Sequence, residues 1–340
     1  MRVVYSIGRY QKQARRICDA VIAELRHRGW LAHLRNWQDA ADAIPDCDLF
    51  HCHSVLSLPA LRFLRAHRPE VAIVLQRDSA HVACGAYRNE IHKRRGGPYD
   101  ALCVASPNVW PDKIPVQSEE YALADRVLVP SAYVARTFTA HDYPGRRLEV
   151  IPLPAGEEFA PPAEPPAFRV VLGGGATLTK GYPYAVEACA LIGEPLDVLA
   201  GVPYREMARE LGKRSVCLAP SITDGMPHQV LAAMACGLVP IVSTTNGCGD
   251  LLVHGVNGFI VELRDRDVVA RIAGLLRWLR EHPGEMRQIG RRAREAVAGR
   301  GWRDYGREVC DWYPSVLARR RRAARPPRRP PRVRAAQVLA

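Results

Sequence analysis

No stretch of the 340-residue sequence reaches the roughly 20 consecutive apolar residues that span a membrane. The N-terminus, Met1-Arg2-Val3-Val4-Tyr5, runs straight into a strand-like segment without the apolar core of a secretory signal. Ten cysteines are present, yet no C-x-x-C pair occurs, and most lie in apolar runs such as Val216-Cys217-Leu218. Free, buried thiols in a reducing compartment are the expectation. Acidic residues are missing from Arg319 onward, where nine arginines (319–322, 325, 328, 329, 332, 334) are interspersed with prolines. Removing those nine from the formal net charge of +13 leaves +4 over the first 318 residues. The basic excess therefore belongs to a tail. It implies an anionic partner, a membrane surface or DNA, for Arg319–Arg334, while the globular body is only mildly basic. The chain reads as soluble and cytoplasmic, with a membrane-peripheral location open to it through the tail. The rest of the composition, 48% hydrophobic and 24% charged, excludes disorder throughout, and the length suits two domains.

Strand-like and helix-like segments alternate along the whole chain, which predicts an α/β protein with parallel sheets. In the first half, Val3–Ile7, Asp48–His53, Val71–Leu75, Arg126–Pro130 and Leu148–Pro152 read as strands. Helices are expected over Gln13–Arg28 and Leu58–Ala66, and from a Ser131 cap to about Ala140. Residues 154–167 hold five prolines and no periodicity, and read as a linker. A second series follows: strands at Phe168–Leu172, Leu196–Ala200, Ser215–Pro220, Val239–Ser243 and Gly258–Val261, with helices between and after them. The predicted organisation is a Rossmann-like domain over 1–153, the linker, a second Rossmann-like domain over 168–301, a helix over 302–317 and a disordered Arg/Pro tail over 318–340. Ligands of such sheets bind outside the carboxyl ends of the strands, so two facing domains would share one cleft.

Two segments at those strand ends carry chemistry. Gly173-Gly174-Gly175 leads from a strand to Lys180-Gly181 and a helix, the composition of a phosphate cradle. It is neither a Walker A motif nor a dinucleotide fingerprint, since Leu178 stands where the third glycine of the latter belongs. A plain tight turn is the alternative. Further on, Pro220-Ser221-Ile222-Thr223-Asp224-Gly225-Met226-Pro227 leaves a strand and enters a helix that Gly237 stops. A carboxylate and free N–H groups placed there can hold sugar hydroxyls, whereas a helix N-cap is the alternative role for Asp224. His51-Cys52-His53 puts two imidazoles on one strand face, but no acidic or cysteine pair completes a metal site, and no metal is expected.

The segment Pro220–Gly237 resembles the most diagnostic stretch of the retaining glycosyltransferases of family 4, whose pattern is P-S-x-x-E-G-x-P followed by E-A-M-A-C-G. Further matches stand in order: Ala124-Asp125-Arg126-Val127-Leu128-Val129-Pro130-Ser131, Val150-Ile151-Pro152, Lys180-Gly181, and Asp250 through Gly258. Trp302 stands where an aromatic residue opens the family's last helix, which crosses back to the first domain. The likeness is specific over about 124–312 and looser before it. It implies the GT-B fold, a nucleoside-diphosphate sugar as donor on the C-terminal domain, and an acceptor hydroxyl on the N-terminal one. It also implies retention at the anomeric carbon, with no cofactor and no metal. By the resemblance, Lys180 would neutralise the departing diphosphate, which is electrostatic stabilisation of a developing oxyanion. Asp224, with Gly174, Gly175, Gly225, Met226, Pro227 and Val230, would hold the donor.

Three positions depart from the pattern. Asp224 is shorter than the family's Glu, the second Glu falls at Ala232, and the phosphate-binding Arg falls at Gly175. A compensating cation, weak donor binding or loss of catalysis are the three readings of those departures. In the first domain, Gln76-Arg77-Asp78-Ser79-Ala80-His81 resembles the family's His-Asp loop, with Arg77 as a replacement cation, Asp78 as an acceptor-side base and His81 displaced. His51-Cys52-His53-Ser54 resembles D-I-V-H-x-H-S, with His53 near the acceptor or packed structurally. Gly8 and Arg9 would face the same cleft, and 82–122 would form an acceptor-facing insertion whose basic residues suit an anionic acceptor, a solvated loop being the alternative. Two further readings keep the fold: transfer to modified DNA bases with the tail as tether, and a catalytically degenerate sugar-nucleotide-binding protein.

Overall fold

The structure, a computed structural model, describes residues 1–7, 12–36, 38–54, 57–85, 113–163 and 167–323. Gly8, Arg9, most of the 82–122 insertion and the tail beyond 323 lie outside the described residues. The first sheet is built from β1 (Val3–Ile7), β2 (Leu31–Asn36), β3 (Leu49–His53), β4 (Ala72–Gln76), β5 (Arg126–Val129) and β6 (Leu148–Val150). Its order is β2-β1-β3-β4-β5-β6, with every neighbouring pair parallel. Strands β3, β4 and β5 are buried throughout, as the sheet-centre position of near-continuous apolar runs requires. Strand β2 was not apparent in the sequence. It is an edge strand, mostly exposed, and its sequence LAHLRN lacks the apolar run that marks its buried neighbours.

Helices α1 (Lys12–His27), α2 (Leu58–His67), α3 (Lys113–Leu123) and α4 (Ala132–Thr139) accompany this sheet. The predicted Ser131 cap is present, its Oγ accepting from Val134 N at 3.2 Å. The second sheet comprises β7 (Val170–Leu172), β8 (Leu196–Asp197), β9 (Val216–Ala219), β10 (Val239–Ser243) and β11 (Phe259–Val261), in the all-parallel order β11-β10-β9-β7-β8. With it run α5 (Tyr182–Ala190), α6 (Tyr204–Leu211), α7 (His228–Ala235), α8 (Val268–Glu281) and α9 (Pro283–Glu295). Strand β10 has the expected bounds, whereas β7 begins at Val170, two residues after the expected Phe168, and β8 stops at Asp197, three residues before the expected Ala200.

The last helix, α10, runs over Trp302–Ala323 and includes Pro314. Part of the stretch 318–340, expected to be disordered from its start, is therefore helical. Arginine favours helix, and Arg320 anchors the extra turn by donating to Pro69 O at 2.7 Å and pairing with Asp125 at 3.2 Å. Tyr305, Val309, Tyr313 and Val316 form one buried face of α10, each buried side chain contributing about 1.5–3 kcal/mol. That face joins an apolar cluster that contains Val3, Tyr5, Ile17 and Val21 from the first half and Met226, Val230 and Leu231 from the second. The two sheets are thereby held to one shared core. All the cysteines within the described residues are free and buried, as the composition suggested. No helix among the described residues is long and apolar enough to cross a membrane.

Candidate functional site

At the carboxyl end of β7 the chain turns through the three glycines and re-enters helix at α5. Gly181 must be glycine: its φ is +72°, and a Cβ there would lie 1.9 Å from Pro220 O. This close packing seats the Lys180 turn against the end of β9. Lys180 Nζ and the Asp224 carboxylate then form an ion pair, the Lys partly exposed and the Asp largely buried. The alternative in which Asp224 caps α7 is not what the chain adopts, because Pro227 occupies the N-cap and no side chain bonds there.

The Asp224 loop is held by a polar network. Asp224 N donates to Thr245 O at 3.0 Å, and Gly247 N donates to Asp224 O at 2.9 Å. Ser221 O accepts from both Ser243 Oγ and Thr245 Oγ1, while Asn246 Nδ2 reaches Ala219 O. Buried polar groups satisfied in this way fix a loop more firmly than apolar contacts do. Gly225 meets the first half directly. A Cβ on it would lie 1.9 Å from Asp78 O, and its own carbonyl accepts from Ser131 Oγ at 2.7 Å. Tyr133 OH lies 3.0 Å from Thr223 Oγ1, and the Asp250 carboxylate accepts from Tyr133 N at 2.8 Å and pairs with Arg136. Ser131 and Asp250 were recognisable in the sequence only as motif positions and Tyr133 not at all, since contacts across two halves leave no local pattern.

The Asp78 backbone therefore meets Gly225, the residue that follows Asp224, at the junction. Gln76 Nε2 donates to Asp78 Oδ1 at 2.9 Å, and His53 Nδ1 approaches Asp78 Oδ2 at 3.9 Å. His53 Nε2 contacts Tyr5 OH at 3.1 Å and Cys18 Sγ at 3.4 Å, and His51 Nδ1 contacts Tyr313 OH at 2.5 Å. Burial lowers the pKa of His53, with Asp78 opposing it, and lowers that of His51 much further. Among the described residues no group of three His, Cys, Asp or Glu side chains is placed to hold a metal ion.

Several sequence candidates are placed elsewhere. Arg77 is buried and donates both Nε and Nη2 to Ala80 O, three residues along its own loop. As a replacement cation in the cleft it is thus misplaced in this arrangement. His81 packs among Tyr121, Phe138 and His141 in the first-half core, and burial drives its pKa down to about 4. Met226 and Val230 are buried as well, Met226 Sδ accepting from Leu153 N. Gly174 lies against the Lys180 side chain, whereas Gly175 is exposed with open space around it. Ala232 is fully buried.

One cluster was not foreseen. Arg16, in the second turn of α1, pairs with Glu158 and lies over the Tyr204 ring, 3.2 Å from its centroid. Beside it, the ring of His228 stacks on Trp302 at 5.6 Å and meets Phe159 and Tyr204 edge-on or tilted. Burial, then the nearby Arg16 charge, lowers the His228 pKa to about 4.

Two parallel sheets joined end to end, with the last helix returning to the first, define the GT-B architecture of glycosyltransferases. Residues 162–296, the second half, match the family model "Glycosyl transferases group 1". Solved structures with the same fold include sucrose-phosphate synthase from Thermosynechococcus elongatus, at 15% identity and a TM-score of 0.71 over 94% of this chain and 100% of that one. A glycosyltransferase from Rickettsia africae matches at 11% identity and 0.63, over 93% and 98%. HepE from Anabaena, solved with UDP-glucose, matches at 12% and 0.62, over 93% and 100%. No curated protein matches the sequence. Together the family match and the fold support glycosyl transfer as the general activity.

Proposed function

We propose that the protein is a retaining glycosyltransferase of family 4 that moves a sugar from a nucleoside-diphosphate sugar to an acceptor hydroxyl without a metal. The observation that carries this reading is the Lys180–Asp224 ion pair at the carboxyl ends of β7 and β9, in the loop whose Gly225 meets the Asp78 backbone across the junction. Lys180 supplies positive charge for the departing diphosphate, and Asp224 accepts hydrogen bonds from donor sugar hydroxyls once the donor displaces its contact with Lys180. The first-turn N–H groups of α7 favour negative charge at the same place. Asp78, held by Gln76 and near His53, receives the acceptor hydroxyl. HepE was solved with UDP-glucose, which supports a nucleotide-sugar donor here as well.

The charge between the reacting groups sets the energetic case. In a water-poor cleft an oxyanion held by a fixed cation is stabilised far more than in water, and loss of one such contact costs about 2.7–4 kcal/mol. A screen of UDP-, GDP-, ADP- and dTDP-sugars by thermal shift, followed by turnover of radiolabelled donors, tests the proposal. A melting-point rise and product from one donor class are expected. A donor that binds without turnover would favour the degenerate reading, which the burial of Ala232 and the bare Gly175 support. The tail arginines are proposed to hold the enzyme near an anionic surface, a membrane or DNA, and leave the chemistry unchanged.

A further inference from the structure

The diphosphate of a nucleotide sugar carries more negative charge than one lysine offsets, and Gly175 brings no cation. Arg77, the nearest sequence candidate, is spent on Ala80 O. Arg16 is different. It rises from α1 of the first half and reaches the second, where its Nη1 contacts Glu158 Oε1 and Tyr204 OH, both at 2.5 Å. Tyr204 opens α6 and His228 opens α7, so the guanidinium lies beside two helix N-termini at the carboxyl ends of β8 and β9. Two ring nitrogens in this cluster, His228 Nε2 and Trp302 Nε1, are buried and have no hydrogen-bond partner. His228 is nine-tenths buried and shares a helix face with Ala232, one turn on. Unsatisfied buried polar atoms beside a cation and two helix starts are the mark of a site that awaits polar oxygens.

We propose that Arg16 is the second cation of the nucleotide site: on donor binding its guanidinium leaves Glu158 and pairs with a phosphate oxygen, in place of the cation that Gly175 lacks. This rests on the nucleotide-sugar reading above. The exchange is easy because the Arg16 and Glu158 side chains are 33% and 40% exposed, and an ion pair open to water holds its partners weakly. A phosphate offers the planar guanidinium two acceptor oxygens, and Arg is suited to such bidentate pairing. Because Arg16 belongs to the first half, the bound diphosphate would also tie the two halves together.

The test uses the full chain and measures binding of UDP, GDP, ADP and dTDP, and of the matching nucleosides, by calorimetry. Arg16→Ala is expected to weaken the best-bound diphosphate at least tenfold while its nucleoside changes less than twofold. Glu158→Gln, which removes the competing carboxylate, is expected to tighten the diphosphate about threefold or more. A structural role for the pair would move both variants in the same direction. Unchanged diphosphate binding in folded Arg16→Ala would overturn the assignment. Should that variant fail to fold, equal or weaker binding by Glu158→Gln would overturn it alone. If the wild-type protein binds none of the four diphosphates, the donor reading itself falls, a result distinct from failure of Arg16.

Discussion

Replacing Gly225 by Ala asks how closely the two halves must meet. The φ of Gly225 is not positive, so Ala costs little in local backbone energy. The difficulty lies across the junction, where the new Cβ would stand 1.9 Å from Asp78 O, 2.8 Å from its carbonyl carbon and 3.3 Å from Ser79 Cα. Ordinary contact lies near 3.5 Å, so the facing loops must part by about 1.5 Å. Neither partner is a flexible side chain; both are backbone at strand ends. Overpacking of this kind costs about 1–3 kcal/mol, and a 1 Å misplacement of reacting groups costs about 100-fold in rate. Parting the loops moves Asp78 from the Lys180–Asp224 pair and stretches the 2.7 Å bond from Ser131 Oγ to Gly225 O. The expected result is a loss of about 100-fold in kcat, with donor binding weakened by no more than the loss of Arg16 would cause, because Lys180 and Asp224 sit together on the second half and only Arg16 reaches the donor from the first. Steady-state kinetics with the donor found in the screen, and a radius of gyration from solution scattering, measure this. Full activity of Gly225→Ala with an unchanged radius would refute the reasoning that a tight junction assembles the site.

Lys180→Ala and Asp224→Ala should each lower transfer by about 100-fold or more with a near-unchanged melting temperature, and the double variant should lose far less than the sum, since the two side chains are paired. Additive losses would show that they act apart. His228 and His81 are held neutral by burial, with pKa lowered from 6.5 to about 4. The unfolded chain binds protons that the folded chain refuses, so this stability is complete above about pH 6.5 and is lost as pH falls toward 4. Urea melts at pH 7.5, 5.5 and 4.5 should show it, and His228→Phe should flatten the dependence. Removing residues 324–340 should abolish salt-sensitive binding to anionic vesicles or DNA without altering transfer to a small acceptor. Truncation after 318 should in addition lower stability, because it deletes Arg320 and its contacts with Asp125 and Pro69.

The legible parts of the protein are those that depend on neighbours in sequence. Buried parallel strands such as β3, β4 and β9 are short apolar runs, and a helix start such as Ser131 carries its own capping atom, so both are readable from local chemistry. The exposed edge strand β2 has no such run, and its pairing to β1 is decided by the sheet. The Lys180 turn and the Asp224 loop were recognisable as motifs because a glycine turn, a proline and a helix stop stand at fixed spacing. Their pairing was not, since Lys180 and Asp224 meet only when β7 and β9 lie side by side.

Charge divides in the same way. The sequence alone locates the basic excess in the last 22 residues, from Arg319 onward, and leaves the body near neutral. Which arginines have work to do is a tertiary matter. Arg77 has the promising position in the sequence, yet its guanidinium folds back onto Ala80 O. Arg16 has no motif around it, yet α1 and α10 bring it against Tyr204 and Glu158. A long, flexible side chain goes where its charge finds an acceptor, and that acceptor is supplied by whichever element the fold sets beside it.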